Sequence, residues 1–139
     1  MAGNAGGGVI CADTSSMVAY FQGEREQDVE FVDRALADHM LALAPVSITE
    51  LLSNPNLTPK MEGFIFRIPQ LEIKRGYWER VGNLRAKMFR HSFRHKLADS
   101  LIAQTCLDHA APLITRDRDF LAFQKVAGLR ILPGTPHVQ

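Results

Sequence analysis

The sequence predicts a single α/β domain with a mainly parallel, five-stranded β-sheet. Short apolar runs rich in β-branched residues alternate with segments of helical periodicity, which is typical of a parallel sheet with helical crossovers. The chain has 139 residues, of which 46% are hydrophobic. This length and composition suit one domain with a substantial core.

The first two elements follow from an apolar run and its polar boundary. Residues 9–12 lie between glycines and a polar segment, which predicts a buried strand. Ser15 or Ser16 can cap the short helix that follows. Residues 24–39 carry an apolar stripe behind several acidic residues, which predicts a second helix with its N-terminus at the acidic end.

The middle of the chain predicts two more strands. Residues 41–44 are a short apolar run that Pro45 ends. Ser47-x-x-Glu50 has the capping-box spacing and predicts the start of a helix. A short amphipathic segment follows at about residues 58–66, and the apolar residues Leu71 and Ile73 then indicate a third strand.

The second half of the chain begins with the longest predicted helix, at residues 75–92. One apolar stripe recurs there at helical spacing and indicates a core or dimer contact. The stripe consists of Tyr77, Val81, Leu84 and Met88. The remaining elements are a helix, a fourth strand, a helical segment and a fifth strand, at residues 97–110, 112–115, 117–126 and 129–132.

Charge, hydropathy and cysteine content exclude several classes of protein. Lys plus Arg number 16 and Asp plus Glu 15, so the net charge of +1 does not favour disorder. No apolar run approaches the ~20 residues of a membrane span, and no secretory signal is visible, so we expect a cytoplasmic protein. Cys11 and Cys106 lie in apolar runs, which favours buried reduced thiols. Residues 1–8 predict a flexible glycine-rich tail, and residues 134–139 a C-terminal tail.

Three acidic residues follow predicted strands. Asp13 closes the first strand, Asp117 follows the fourth, and Glu50 opens the helix after the second. Ligands of open parallel sheets bind outside the carboxyl ends of the strands. Each acid also has a structural explanation, namely a cap or turn for Asp13 and Glu50, and for Asp117 either pairing with Arg116 or Arg118 or the start of the next helix.

A fourth acid, Asp99, lies on the apolar side of its predicted helix. On a helical wheel it falls at roughly 200° from Leu97, among Ile102, Ala103 and Cys106. An ionised carboxylate there is costly unless a metal ion, a basic partner or a water-filled cleft compensates it. The alternative is a first-turn aspartate favoured by the helix dipole. Several carboxylates in one cleft, without paired Cys or His, favour Mg²⁺ or Mn²⁺ over zinc.

These residues also carry a resemblance to a known family, through four motifs in order across residues 9–133. The motifs are Ile10-Cys11-Ala12-Asp13-Thr14-Ser15, Ser47-x-x-Glu50-Leu51, Leu97-Ala98-Asp99-x-x-Ile102-Ala103 and Leu113-Ile114-Thr115-Arg116-Asp117-Arg118-Asp119-Phe120. The chain resembles the PIN-domain ribonucleases, and most of all the VapC-type toxins of toxin–antitoxin modules. No single motif is decisive, but the series of four is specific.

The resemblance implies an α/β/α sandwich, a homodimer and an acidic quartet around Mg²⁺ or Mn²⁺. The quartet would be Asp13, Glu50, Asp99 and Asp117. Asp119 would be a variable extra acid, sometimes near a second metal, and Ser15 and Thr115 would help to hold the acids or bound water. The family usually cleaves structured RNA of the tRNA or rRNA class. A VapB-type antitoxin typically inserts a basic segment into the acidic site.

The ligand type predicts the chemistry. A metal held by Asp13, Asp99 and Asp117 would lower the pKa of bound water and polarise the scissile phosphate. Glu50 and Asp119 are further candidate ligands. Glu50 or Asp117 would orient the water or accept its proton. In-line attack would leave a 5′-phosphate and a 3′-hydroxyl.

A basic segment at residues 67–96 predicts the substrate contact. It holds nine basic and two acidic residues, a charge of +7 in a chain of +1. Arg80, Lys87 and Arg94 recur every seven residues, which predicts one basic helical face suited to a phosphate backbone. The candidate RNA-binding residues are Arg75, Arg80, Lys87, Arg90, Arg94 and Lys96. The alternative is a solvated face balanced by the acidic residues of 24–38.

Other side chains of the basic segment have weaker interpretations. Trp78 and Phe93 are candidate base-stacking residues. His91 and His95 have the i, i+4 spacing of a metal pair, but no third ligand is evident, so RNA-facing or exposed side chains are favoured.

Two other functions stay open. A catalytically inactive PIN-fold module would bind nucleic acid without cleaving it. A phosphatase with an aspartyl nucleophile would carry a second acid two residues after the first, where this chain has Ser15. The leading prediction is therefore a Mg²⁺-dependent endoribonuclease toxin that an antitoxin inhibits.

Overall fold

Short parallel strands and longer helices alternate in the computed structural model, which describes residues 8–134. The strands are β1 (Ile10–Ala12), β2 (Leu41–Ala42), β3 (Leu113–Ile114) and β4 (Ile131–Leu132). The helices are α1 (Thr14–Phe21), α2 (Gln27–Ala37), α3 (Pro45–Leu52), α4 (Pro59–Arg67), α5 (Tyr77–Arg90), α6 (Leu97–Asp108) and α7 (Leu121–Ala127). A 3-10 turn at Arg118–Phe120 leads into α7.

The sheet has the order β2-β1-β3-β4, and each neighbouring pair is parallel. Cys11 pairs with Ala42 on one side and with Leu113 on the other. The chain moves from β1 to β2 in one direction and continues on the opposite side of β1 with β3. The carboxyl ends of β1 and β3 therefore flank the switch point of the sheet, where ligands of such folds bind. The predicted α/β class is confirmed.

The predicted five strands are wrong, because the sheet of residues 8–134 has four. The chain around Leu71 makes only an isolated bridge between Gln70 and Leu43. The two bridging bonds run from Leu43 N to Pro69 O and from Leu71 N to Leu43 O, each 2.9 Å long. The next bond on either side would need an N–H from Pro69 or Pro45, and proline has none.

The predicted capping box at the start of α3 is also wrong. The helix begins at Pro45, two residues earlier than the motif requires, and proline suits the first position of a helix. Ser47 therefore lies inside the first turn. Its hydroxyl is buried without a hydrogen-bond partner among the described residues. Glu50 lies in the second turn and is free to face another element.

Two apolar cores cover the two faces of the sheet. Neighbouring strand residues alternate between them, so that Cys11 joins the core beneath α5, α6 and α7, and Ala12 joins the core beneath α1 to α4. This alternation produces the three layers of an α/β/α sandwich. The stripe of α5 that begins at Tyr77 is buried in the protein. Cys11 and Cys106 are free and fully buried, as predicted.

Both predicted tails lie almost wholly outside the described residues. No helix within residues 8–134 is long and apolar enough to cross a membrane.

Candidate active site

Asp13 is the first acid beyond β1, and it caps α1 through its own carboxylate. Its Oδ1 accepts the Thr14 backbone N–H at 2.8 Å, so the predicted Ser15 or Ser16 cap is wrong. Both serines lie inside the helix instead. The hydroxyl of Ser15 donates to Asp13 Oδ2 at 2.8 Å, and Thr115 donates to the same oxygen at 2.9 Å.

Burial and hydrogen bonding act in opposite directions on Asp13. The residue is only 5% exposed. Burial raises the pKa of its carboxyl and outweighs the hydrogen bonds from Ser15, Thr115 and Thr14, while the charge of Asp117 raises it further. The three hydrogen bonds hold the side chain in one orientation at the end of β1.

Thr115 joins the two strand ends that carry acids. Besides donating to Asp13, its hydroxyl oxygen accepts the backbone N–H of Asp117 at 2.9 Å. Asp117 in turn caps the 3-10 turn, because its Oδ1 accepts the Asp119 N–H at 2.9 Å. These bonds determine the backbone path from β3 through Asp117.

Asp99 reaches the same edge from the first turn of α6. Its pKa is raised to about 6, first by burial and then by the charges of Asp117 and Asp13. Asp119 raises it as well, whereas His95 lowers it. Asp99 is half-buried rather than buried with Ile102 and Cys106, so it lies at the border of the apolar side of α6, where the charges of other carboxylates reach it.

Glu50 lies at the rim of this group. Its side chain is exposed and accepts the Thr14 hydroxyl at 2.6 Å. Its charge is not among the causes that shift the pKa of Asp13 or Asp99. Thr115 thus joins Asp13 to Asp117, the charges of both act on Asp99, and Thr14 connects Glu50 to Asp13.

The donor set matches a hard divalent cation, although no ligand shell is closed. Asp13, Asp99 and Asp117 offer carboxylate oxygens, the donors that Mg²⁺ and Mn²⁺ prefer. After burial, the charges of Asp117 and Asp13 raise the pKa of Asp99, and such repulsion between carboxylates favours a cation beside them. In the part of the chain that the structure describes, no three His, Cys, Asp or Glu side chains are close enough to hold a metal ion.

Arg116 holds the loop between β3 and Asp117 through contacts with Asp28 and Glu24, a role that the sequence did not predict. Its guanidinium donates twice to Asp28, at 2.8 and 3.1 Å, and once to Glu24, at 2.8 Å. Ser16 also donates to Asp28 at 2.8 Å. Although burial opposes ionisation, the bonds from Arg116 and Ser16 hold the pKa of Asp28 below its usual value. The suggested pairing of Arg116 with Asp117 is therefore wrong.

A sequence signal for this network exists in α2. Asp28 precedes Val32 by four residues and Ala35 by seven, so it lies on the buried stripe of the helix. An acid on an apolar stripe needs a partner. Asp28 therefore carries the same sequence signal as Asp99, namely a carboxylate on the apolar side of a helix.

The basic segment does not form one helical face. Helix α5 ends at Arg90, so Arg94 lies in the following loop. Arg80 is bound to Asp108, with Nε and Nη2 donating at 2.9 and 2.6 Å. Asp108 ends α6, about 14 Å along the helix from Asp99. The prediction that Arg80, Lys87 and Arg94 share a face is wrong, and the position of Arg80 is remote from the acids.

The histidines of the basic segment make separate contacts. His95 Nε2 lies 2.9 Å from the backbone oxygen of Asp119, and His91 Nδ1 lies 2.9 Å from the backbone oxygen of Lys87. They do not form a metal pair. Trp78 is 65% exposed, and its ring meets Tyr77 edge to face, whereas Phe93 packs beside His95.

Two surface depressions adjoin the acids. One of about 350 Å³ is lined by His95, Asp119 and neighbouring side chains, and one of about 200 Å³ is lined by Thr115, Asp117 and their neighbours. A larger depression of about 630 Å³ lies along α2 and contains none of the predicted site acids. We place the site beside the smaller depressions because Asp117 and Asp119 line them and Thr115, which lines the second, donates to the buried Asp13.

Known proteins match both the sequence and the fold. The family model described as PIN domain matches residues 10–129. The fold is similar to the VapBC2 structure from Rickettsia felis bound to a promoter DNA fragment, with a TM-score of 0.68, 18% identity, and coverage of 88% of this chain and 96% of that chain. The DNA-bound VapBC structure from Salmonella typhimurium is similar with a TM-score of 0.67 and 18% identity, and the match covers 89% of this chain and 96% of that chain. The FitAcB structure from Neisseria gonorrhoeae is similar with a TM-score of 0.65 and 19% identity, and the match covers 88% of this chain and 96% of that chain.

At these identities the solved structures show the fold alone. No curated protein sequence matches the chain significantly. The family model, in contrast, extends from β1 to the end of α7 and includes all the acids described above. This protein belongs to the PIN domain family.

Proposed function

We propose that the protein is a VapC-type toxin, a Mg²⁺-dependent endoribonuclease that acts on RNA of the tRNA or rRNA class. One observation carries the proposal. Thr115, at the end of β3, donates to the buried carboxylate of Asp13 and accepts the Asp117 N–H, and after burial the charges of Asp117 and Asp13 help to raise the pKa of Asp99 to about 6. Perturbed carboxylates at the switch point of a parallel sheet are typical of a catalytic centre.

In this proposal Asp13, Asp99 and Asp117 hold the cation, with Glu50 and Asp119 as further ligands. Mg²⁺ or Mn²⁺ would supply charge to polarise the scissile phosphate and to activate the attacking water. Ser15 and Thr115 keep Asp13 in place through the hydrogen bonds described above.

The remaining chemistry belongs to the side chains at the rim. Glu50 is exposed and Asp117 is half-buried, so either carboxylate can orient water and accept its proton. The water oxygen would form a bond to phosphorus on the side opposite the leaving group, the bond from phosphorus to O3′ would break, and O3′ would take up a proton from solvent. The products are a 5′-phosphate and a 3′-hydroxyl.

We also propose a VapB-type antitoxin as the partner and a homodimer as the assembly. The similar solved structures include VapBC complexes and a toxin–antitoxin complex from Klebsiella pneumoniae. A cluster of carboxylates at one sheet edge is complementary to a basic peptide segment. Such a segment would occupy the place of the cation and thereby inhibit cleavage.

The decisive experiment is cleavage of total RNA by the purified protein with Mg²⁺ or Mn²⁺. EDTA and the Asp13→Asn variant should each abolish cleavage, and Asp33→Asn, which removes an exposed acid of α2, should leave it unchanged. End mapping should find 5′-phosphates. Cleavage that survives both EDTA and Asp13→Asn would overturn the proposal.

A catalytically inactive nucleic-acid-binding module is the second candidate. It is favoured by the absence of a closed metal-ligand group within residues 8–134. RNA binding by folded protein without cleavage in any metal would support it.

A further inference from the structure

Two arginines of the basic segment converge on one aromatic ring. The guanidinium carbon of Arg85 lies 5.2 Å from the centre of the Phe89 ring, and that of Arg94 lies 5.3 Å from it. Both distances are within the range of cation–π attraction. The ring is 39% exposed, so solvent reaches the cluster that Arg85, Phe89 and Arg94 form.

These two arginines differ from Arg80 and Arg116 in their partners. Arg80 and Arg116 are paired with carboxylates at distances from 2.6 to 3.8 Å. Among residues 8–134, no carboxylate lies within 4 Å of Arg85 or Arg94. Two positive charges thus share one ring without compensation, an arrangement that an external anion would stabilise.

The cluster is connected to the acidic site. Arg85 Nη1 donates to the backbone oxygen of His95 at 3.3 Å. The His95 ring lies 2.9 Å from the backbone oxygen of Asp119, and its charge acts on Asp99. His95 also directly precedes the cap of α6, the helix that carries Asp99. The cluster is therefore connected through His95 to Asp119 and Asp99, and it lies nearer the C-terminal end of α5 than Arg80 does.

We propose that Arg85, Phe89 and Arg94 bind the phosphodiester backbone of the RNA strand beside the scissile bond. Guanidinium groups match phosphate oxygens in shape and charge. The Phe89 ring holds both groups in place, so less side-chain freedom is lost when the strand binds. This inference rests on the proposed function, but binding can be measured without cleavage.

The test measures binding of a fluorescent single-stranded RNA oligonucleotide by anisotropy, in EDTA, over a series of salt concentrations. For the double variant Arg85→Gln/Arg94→Gln we expect about tenfold weaker binding at low salt and a salt slope smaller by about 1.4, since each phosphate contact on a single strand contributes about 0.7. The matched control is Arg25→Gln/Arg34→Gln. It removes the same charge from the α2 region and should change binding less than twofold.

Phe89→Leu tests the contribution of the aromatic ring separately from that of the two positive charges. Leucine keeps an apolar side chain of similar reach but provides no π-face, so both arginines stay charged and lose their support. We expect binding about threefold weaker than in the wild type, with an unchanged salt slope and an unchanged melting temperature within a few degrees.

The outcomes are distinct. Equal weakening in both double variants would show a long-range charge effect and overturn the inference, as would wild-type protein that binds no RNA at low salt. Binding that depends on Arg85 and Arg94 in a protein that never cleaves RNA would refute the proposed nuclease and retain the binding site.

Discussion

Two buried or half-buried carboxylates of this protein show how neighbours determine the behaviour of one residue type. Asp13 accepts three hydrogen bonds and is fixed at the end of β1. Among residues 8–134, no donor hydrogen-bonds to the Asp99 carboxylate, which faces the charges of Asp13 and Asp117. Asp13 is therefore positioned by its neighbours, whereas Asp99 is destabilised when ionised.

Replacing Asp99 by Asn should stabilise the metal-free protein at pH 7. The folded-state pKa of Asp99 is about 6, above its ordinary value of 3.8, so the folded protein is penalised when the group ionises. The gain should be about 1 kcal/mol, because the partial exposure of Asp99 reduces the full effect. The difference should shrink as the pH falls through 6 and vanish below about 4.

Urea unfolding in EDTA at pH 7 and at pH 4 measures this difference. Glu50→Gln is the matched control, since Glu50 is exposed. An Asp99→Asn protein that is less stable than wild type at pH 7 would contradict the assignment of Asp99 to a repulsive cluster.

The hydroxyl group of Thr115 should contribute more to stability and to cleavage than the methyl group of the same side chain. Thr115→Val removes one of the three donors to the buried Asp13 and the acceptor of the Asp117 N–H, so that this N–H is left unpaired and Asp13 keeps only Ser15 and Thr14. We expect a loss of about 2 kcal/mol in the free energy of unfolding and loss of cleavage. Thr115→Ser keeps the hydroxyl and should recover most of both. Equal defects in the two variants would mean that the methyl group, rather than the hydroxyl, is important.

At the scale of elements, one arginine connects the loop after β3 to the start of α2. Arg116→Gln would remove the twin bonds to Asp28, which is only 4% exposed, and leave a buried charge uncompensated. We expect a loss of about 3 kcal/mol in stability. Arg118→Gln should cost less than about 0.5 kcal/mol, because Arg118 is exposed and has no ion pair within residues 8–134.

A double-mutant cycle with Asp28→Asn, measured by urea unfolding, isolates the Arg116–Asp28 interaction. The combined loss should be smaller than the sum of the two single losses, because each single change already breaks the same bonds. Additive losses would show that the pair does not hold the loop.

The sequence predicted element types better than element ends. Apolar runs and helical stripes locate the strands and helices because burial produces those patterns. The third predicted strand was wrong because a strand at Leu71 needs N–H groups from the segment it pairs with. One of these positions is Pro45, which has no N–H and lies in a different part of the chain. The start of α3 was wrong because Ser47 fits two positions of a helix start equally well.

The site was only partly predictable for a similar reason. Strand ends and the helical wheel indicate that Asp13, Asp99 and Asp117 approach one another, although their roles stay predictions. The partner of Asp28 is not evident from the sequence, because Arg116 lies 88 residues away in the chain. Likewise, sequence spacing did not reveal that Arg80 is occupied by Asp108.

The whole molecule assembles the site only when β3 pairs with β1. Thr115 and Asp13 lie 102 residues apart in the chain and 2.9 Å apart in space. A cation that binds the assembled acids would bind the folded state alone, and such a ligand raises stability by mass action.

Mg²⁺ should therefore raise the melting temperature of the wild-type protein. At a concentration of about 100 times the dissociation constant, the gain would be about 2.7 kcal/mol. Asp99→Asn should remove most of this gain, and Asp33→Asn should retain it. Differential scanning calorimetry with Mg²⁺ and with EDTA checks the expectation, and equal shifts in both variants would place the cation elsewhere.

The prolines that restrict the bridge at Leu43 also disfavour association between copies of this protein through the edge of the sheet. An open sheet edge offers free backbone groups on which a strand from another molecule can grow, which is a route to aggregation. Beside β2, the segment at Gln70 already occupies that edge, and Pro45 and Pro69 withhold the N–H groups that a longer ladder needs. The same features that limit the sheet to four strands therefore leave its β2 edge a poor template for a foreign strand.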